Sequence, residues 1–259
     1  MKLPRALLAV PAAAVVLLAV PSAAFADESV HVKLDPLNHS GASGTAILTA
    51  MADGDLKISI RSIGLVPNSP HAQHLHGSTE GMDFHCPDMS ADSDGNGYVS
   101  TEEGMPDYGN IFISLTTKGD TSPKSGLAVD RMPVADAKGN LSYDRTIPAA
   151  DLPAGTIEHL KDLHVVEHGI DANRNGKYDM DGLGESTLAK SAGLSGIPEE
   201  ATDPAVCGMV SGAAVGSVPV GGVATGDGST RHDSIPLYAL GGIALFGAAG
   251  ALVARRRLS

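Results

Sequence analysis

Short apolar stretches, repeatedly cut by Gly, Pro, Asn and Asp, constrain the fold of this chain more than any other feature. Leu56-Lys57-Ile58-Ser59-Ile60-Arg61 alternates apolar and polar side chains, the pattern of a strand with one buried face. Residues 30–34, 45–50, 111–116, 141–147, 163–167 and 206–210 are further short candidates bounded by turn residues. Helical periodicity is scarce between them. About seven short strands with turn signals predict an all-β domain, a Greek-key sandwich or barrel. With no Trp and 3% aromatic residues, its core must be built from Val, Ile and Leu. Residues 27–210 are ample for one such core.

The ends of the chain predict where that domain resides. Residues 1–26 carry Lys2 and Arg5, an apolar run over 6–20, and Ala24-Phe25-Ala26 as a cleavage site; this reads as a secretory signal. Residues 236–254 hold no charge and are followed by Arg255, Arg256 and Arg257. At 1.5 Å per residue they span about 28 Å, close to the thickness of a bilayer core. The arginines predict a cytoplasmic tail over 255–259. Residues 211–235, rich in Gly, Ser, Val and Thr, read as a flexible stalk. The expected protein is a single-pass cell-membrane protein with its N-terminal domain extracytoplasmic.

Charge narrows the partners. The chain has 18 basic and 30 acidic residues, a net of −12. All thirty acids but only thirteen of the bases lie in 27–235, which leaves −17 there. Phosphates repel such a surface, so nucleic acid is not an expected partner; cations and an unnamed cell-surface partner remain compatible. The two cysteines, Cys86 and Cys207, both fall in the exported part, where an oxidising compartment favours a disulfide. Closing a loop of about 120 residues is worth roughly 4 to 5 kcal/mol in the chain-entropy account.

The most specific chemistry is DSDGNGYVSTEE at 92–103. Calcium wants six to eight oxygen ligands from a flexible loop. Asp92, Asp94 and Asn96 stand at loop positions 1, 3 and 5, Gly97 at the sharp turn, and Tyr98 offers a backbone carbonyl. Ser100 stands at the water-bridged position 9, and Glu103 closes the loop at position 12. Pro87 before the loop, and Gly104 with Pro106 after it, predict no helix on either side, hence an EF-hand-like loop set into another fold. A variant follows at DANRNGKYDMD. Asp171, Asn173, Asn175 and Asp179 repeat the oxygen spacing and Gly176 the turn, but Gly182 stands at position 12. Asp181 replaces the missing carboxylate only imperfectly. This segment reads equally as a second calcium site or as an Asn/Gly turn capped by its own side chains.

Histidines form the other constellation. SPHAQHLHG holds His71, His74 and His76. In an extended strand His74 and His76 share a face and can present two imidazoles to one metal. His164 and His168 flank Val165-Val166-Glu167 and offer a third ligand. Imidazole suits copper and zinc. The alternative is a set of histidines held by hydrogen bonds in a polar loop.

In order, these segments resemble the copper/zinc superoxide dismutase family, and more closely its divergent CHRD (chordin-domain) relatives. GTAILTA, DLKISIRSIGLVPN and HAQHLHG are similar to the opening strands that lead into a His-x-His copper-binding strand, and His74 and His76 fall on that pair. LHVVEHGID resembles the late strand carrying another copper histidine, which His168 matches. Cys86 and the AVCGMV around Cys207 resemble the two ends of the family's disulfide. DYGN at 107–110 resembles the segment with the zinc aspartate, here Asp107. The likeness covers about residues 29–210. It implies a Greek-key barrel of that type, with copper at His74, His76 and His168 and His71 or His164 as a fourth ligand. Three family features are missing. Asp92 stands where a bridging histidine is expected, Pro204 where a superoxide-guiding arginine is expected, and the zinc histidines are absent. The resemblance with these departures implies a membrane-anchored domain binding calcium and copper without catalysis. The alternative is a copper-dependent superoxide dismutase lacking the zinc site. No Gly-x-Ser-x-Gly elbow or spare thiol points to a hydrolase.

Overall fold

Alternation in the sequence becomes eight strands in the computed structural model, which describes residues 27–210. These are β1 (Glu28–Pro36), β2 (Ser43–Ala50), β3 (Leu56–Ile63), β4 (Gln73–Gly77), β5 (Ile111–Ser114), β6 (Leu141–Ile147), β7 (Leu163–His168) and β8 (Pro204–Met209). Three short helices join them: α1 (Thr101–Tyr108), α2 (Met180–Leu183) and α3 (Thr187–Ser191). All neighbouring strands are antiparallel, in the order β5-β4-β7-β8-β1-β2-β3-β6, and the sheet curls into a half-barrel. Each run expected to be extended lies at least partly in a strand, and the His-x-His segment supplies β4.

The two halves of the sheet are buried differently. β3 buries Leu56, Ile58 and Ile60 and exposes Lys57 and Arg61, because one face meets the core and the other meets water. Each of those apolar side chains contributes about 1.5 to 3 kcal/mol by leaving water. β4, β7 and nearly all of β8 are buried on both faces. Leu75, Leu163, Val165 and Val206 join the main core, while Val166 and Cys207 form a smaller cluster with Tyr108. Long connections follow β4 and β7, and the histidines of β4 and β7 lie beneath them.

Side chains of one edge strand, β6, reach the segment that follows the other, β5. Tyr143 in β6 donates from its hydroxyl to the Thr116 carbonyl at 3.1 Å, and the Arg145 guanidinium donates to Thr116 and to the Gly119 carbonyl. The expected disulfide is present. It ties Cys86, in the connection after β4, to Cys207 in β8 across 121 residues, with the Cα atoms 5.8 Å apart.

One local expectation fails. Gly104 and Pro106 do not prevent a helix after the first acidic loop, since α1 runs through both. Ser100 and Glu103 start it as a capping box, each side chain taking the other's backbone N–H. Gly104 is there for packing: a Cβ at that position would come within 2.7 Å of the Tyr108 ring. Pro106 removes only one hydrogen bond from a helix of eight residues.

Among the described residues no helix is long and apolar enough to cross a membrane. The expected signal (1–26), stalk (211–235), membrane span (236–254) and tail (255–259) lie outside the described residues.

Candidate metal centres

β4 runs antiparallel to β7 with His74 opposite Val166 and His76 opposite His164. Alternation along each strand puts His74, His76 and His168 on the same side, away from Leu75 and Val165. Their ring centroids are 5.4 Å (His74–His76), 5.0 Å (His74–His168) and 6.0 Å (His76–His168) apart. One ring nitrogen of each lies within 4.8 Å of the other two.

Hydrogen bonds select which nitrogen is free. His74 Nε2 lies 3.0 Å from the Gly126 carbonyl, His76 Nδ1 2.9 Å from that of Gly109, and His168 Nδ1 2.6 Å from that of Thr202. A carbonyl only accepts, so these nitrogens carry the protons and donate. Each neutral imidazole then keeps a lone pair on its other nitrogen. Those atoms, His74 Nδ1, His76 Nε2 and His168 Nε2, are buried and without a hydrogen-bond partner. Buried acceptors left unmatched are costly, whereas a metal ion would satisfy all three. Burial, helped by the neighbouring imidazoles, holds His74 well below its ordinary 6.5 and pushes His76 down to about 3. Burial pushes His168 down to about 4. All three are therefore neutral at physiological pH, as ligation requires.

Helix α1 sets two of these imidazoles. Gly109, its C-cap, holds His76, and the Tyr108 ring lies edge-on at 4.5 Å. Thr101, at its first turn, donates from its hydroxyl to the same Thr202 carbonyl that holds His168. A cavity of about 300 Å³ borders all three histidines. Another, of about 920 Å³, lies against the disulfide, and the three histidines do not line it.

The remaining histidines stand apart. His71 is buried with its ring nitrogens near the carbonyls of His168 (2.8 Å) and Val66 (3.1 Å) and against the Tyr178 hydroxyl, so it braces the backbone of β7. His164 gives its Nε2 to the Phe84 carbonyl at 2.7 Å. Neither joins the group of three. Asp107 lies in α1, 3.7 Å from His85.

In the first acidic loop one oxygen from each of Asp92, Asp94 and Glu103 lies within 4.8 Å of the others. Asp92 accepts from the N–H groups of Gly95, Asn96 and Gly97, and Asn96 accepts from that of Tyr98. Glu103 closes the loop by accepting from Ser93 and Asp94 with one oxygen and from Ser100 with the other. Gly95 and Gly97 take φ of 75° and 90°, which glycine reaches at little cost.

The second loop repeats many of those backbone contacts, but among the described residues no three of its carboxylates gather within 4.8 Å as those of the first loop do. Asp171 accepts from Asn175 and Gly176, and Asn175 accepts from Lys177. Asn173 and Asn175 turn their amide groups to Asp179. The closing carboxylate is Glu200, from the turn before β8. It accepts from Ala172 at 2.9 Å and from Asp179 at 2.8 Å, the two loop positions that Glu103 engages through Ser93 and Ser100. Gly182, standing where the sequence pattern wants a glutamate, clears the space: a Cβ there would lie 2.1 Å from a Glu200 oxygen. The loops also touch, with the Tyr98 hydroxyl 3.3 Å from the Ala172 carbonyl.

Sequence reasoning missed Glu200 and the carbonyls of Gly109, Gly126 and Thr202. No spacing signal marks a backbone carbonyl. Only the adjacent acids Glu199 and Glu200, inside a mostly apolar approach to β8, hint that one is buried for a reason. No protein-family model matches the chain, and no curated protein matches it at a significant level.

Proposed function

We propose that the protein is a membrane-anchored, extracytoplasmic metal-binding domain. It holds calcium in its two acidic loops and a copper-type ion at His74, His76 and His168, without catalysis. One observation carries the reading. Three buried, neutral imidazoles each donate one N–H to a backbone carbonyl and leave one unmatched nitrogen, and one nitrogen of each comes within 4.8 Å of the others. Nitrogen donors of this kind suit copper or zinc, while the oxygen-rich loops suit calcium. In finer detail the fold is a Greek-key barrel of the copper/zinc superoxide dismutase type. The curled antiparallel sheet, the His-x-His strand beside the strand with the third histidine, and the disulfide from the connection after β4 to β8 support that assignment.

A second reading, a copper-dependent superoxide dismutase without a zinc site, draws on the cavity beside the centre, since redox turnover needs an open coordination position. Asp92, committed to the first loop, and Pro204, in β8, stand against it. Titration of the metal-free protein with Cu(II), followed by calorimetry and electron paramagnetic resonance, tests the main reading. One copper per chain is expected, weakened about a hundredfold or more in His76→Ala and His168→Ala, by analogy with the loss of good ligands at metal sites. Copper uptake that ignores both substitutions would end it. Superoxide removal by the copper-loaded protein, lost in the same variants, would establish the second reading instead.

A further inference from the structure

The cavity beside the three histidines has walls that metal coordination alone does not explain. Its volume of about 300 Å³ matches the lower range of small-molecule sites, which are mostly apolar with a few polar groups. Ile111, Leu127, Leu188 and Ala192 supply the apolar wall. No carboxylate lines it, although the chain carries thirty acids. Lys124 does line it; this side chain is exposed and makes no ion pair among the described residues. The cavity is thus a locally cationic, apolar recess on a protein that otherwise repels anions.

We propose that this recess binds a small organic carboxylate. The carboxylate head ligates the metal, an apolar body of about one ring lies against Leu127 and Leu188, and Lys124 balances the charge. The inference rests on the metal reading above, because an ion held by only three protein ligands would keep a coordination position open to an exogenous donor. Lys124 is exposed, so its attraction for the carboxylate is screened by water and modest. A cationic molecule of the same size gains neither the metal nor Lys124.

The test uses the full-length protein loaded with cobalt(II) alone, whose visible bands report its coordination. Benzoate and benzylamine are the probes. Benzoate is expected to shift the bands saturably and benzylamine to leave them unchanged. Ala192→Trp, which fills the recess from an exposed position, abolishes the benzoate response while the cobalt bands persist. Lys124→Glu, also at an exposed position, weakens benzoate by about tenfold, as expected when an opposite charge is replaced by a like one. Cobalt bands that benzoate leaves unchanged overturn this inference and leave the metal reading standing. So does an equal response to benzylamine, or a benzoate response intact in both variants. Failure to take up either cobalt(II) or copper(II) at all removes both.

Discussion

The two acidic loops share much of their backbone hydrogen bonding, around carboxylates that reach them from very different distances. Glu103 closes the first loop from ten residues beyond Ser93; Glu200 closes the second from 28 residues beyond Ala172. Glu103 is half-buried and belongs to the capping box of α1, whereas Glu200 is fully buried and both of its oxygens accept backbone N–H groups. The first loop is closed by its own sequence and the second by the tertiary fold. The second should therefore fail with the domain, and the first should tolerate more.

The comparison breaks most visibly at the closing carboxylates. Glu200→Ala leaves two half-buried backbone donors unmatched and empties a fully buried position, and should cost about 3 to 5 kcal/mol. Glu103→Ala, at a partly solvated helix cap, should cost about 1 to 2 kcal/mol. Urea unfolding in calcium-free buffer gives both numbers, and equal costs would erase the distinction between the loops. Calcium sharpens it next. Two calcium ions per chain are expected in the parent, and one in either Glu103→Gln or Glu200→Gln. Saturation at a hundred times the dissociation constant would stabilise each site by about 2.7 kcal/mol. Equilibrium dialysis that finds the same stoichiometry in Glu200→Gln would remove Glu200 from the second site.

The loops also border the histidine centre. Glu103 lies two residues after Thr101, and Glu200 two residues before Thr202, the pair whose contact holds His168. Calcium should accordingly tighten cobalt binding at the histidines about tenfold, a coupling of about 1.4 kcal/mol. Affinity independent of calcium would show the two centres to be separate.

Acid separates the regions by pH, and only its effect on the first loop is small. His76 and His168 titrate near 3 and 4 when folded, against 6.5 when exposed, so the unfolded chain takes up protons first. Metal-free stability should fall as pH drops from about 6.5 towards 4, and His76→Gln should flatten that interval. Glu103 acts lower. Partial desolvation pushes it up, but hydrogen bonds from Ser100, Ser93 and Asp94 outweigh this and bring it down to about 2. Its contribution is present above about 4.5 and lost as pH falls through 2; for a group this exposed it amounts to a few tenths of a kcal/mol. Urea unfolding at pH 7, 5 and 3 should show Glu103→Gln altering only the lowest interval.

Much of this was legible in the chain. The alternation of 56–61 is β3, with Leu56, Ile58 and Ile60 inside, and the two cysteines pair. The doubly buried strands were harder to read, because both of their faces are covered and each mixes polar with apolar residues, Val166 beside the histidines and the buried Glu167 on the side of Leu163 and Val165. Gly104 misled because its helix-weakening tendency is local, whereas the Tyr108 ring that requires a glycine there reaches back from the next turn. Gly182 misled in the same way: it looked like a lost ligand and is the opening through which Glu200 enters.

By itself the sequence determined the β character, the first loop with its closing glutamate, the paired histidines of β4 and the cysteines available to bridge. Each depends on a period of two or on a spacing of about a dozen residues, which the backbone expresses locally. Only the tertiary structure decided that His168, and not His71 or His164, meets that pair, which nitrogen each imidazole leaves free, and that Glu200 completes the second loop. Those outcomes depend on strand register and on carbonyls and carboxylates delivered by distant connections, and no local pattern records where the fold will carry them.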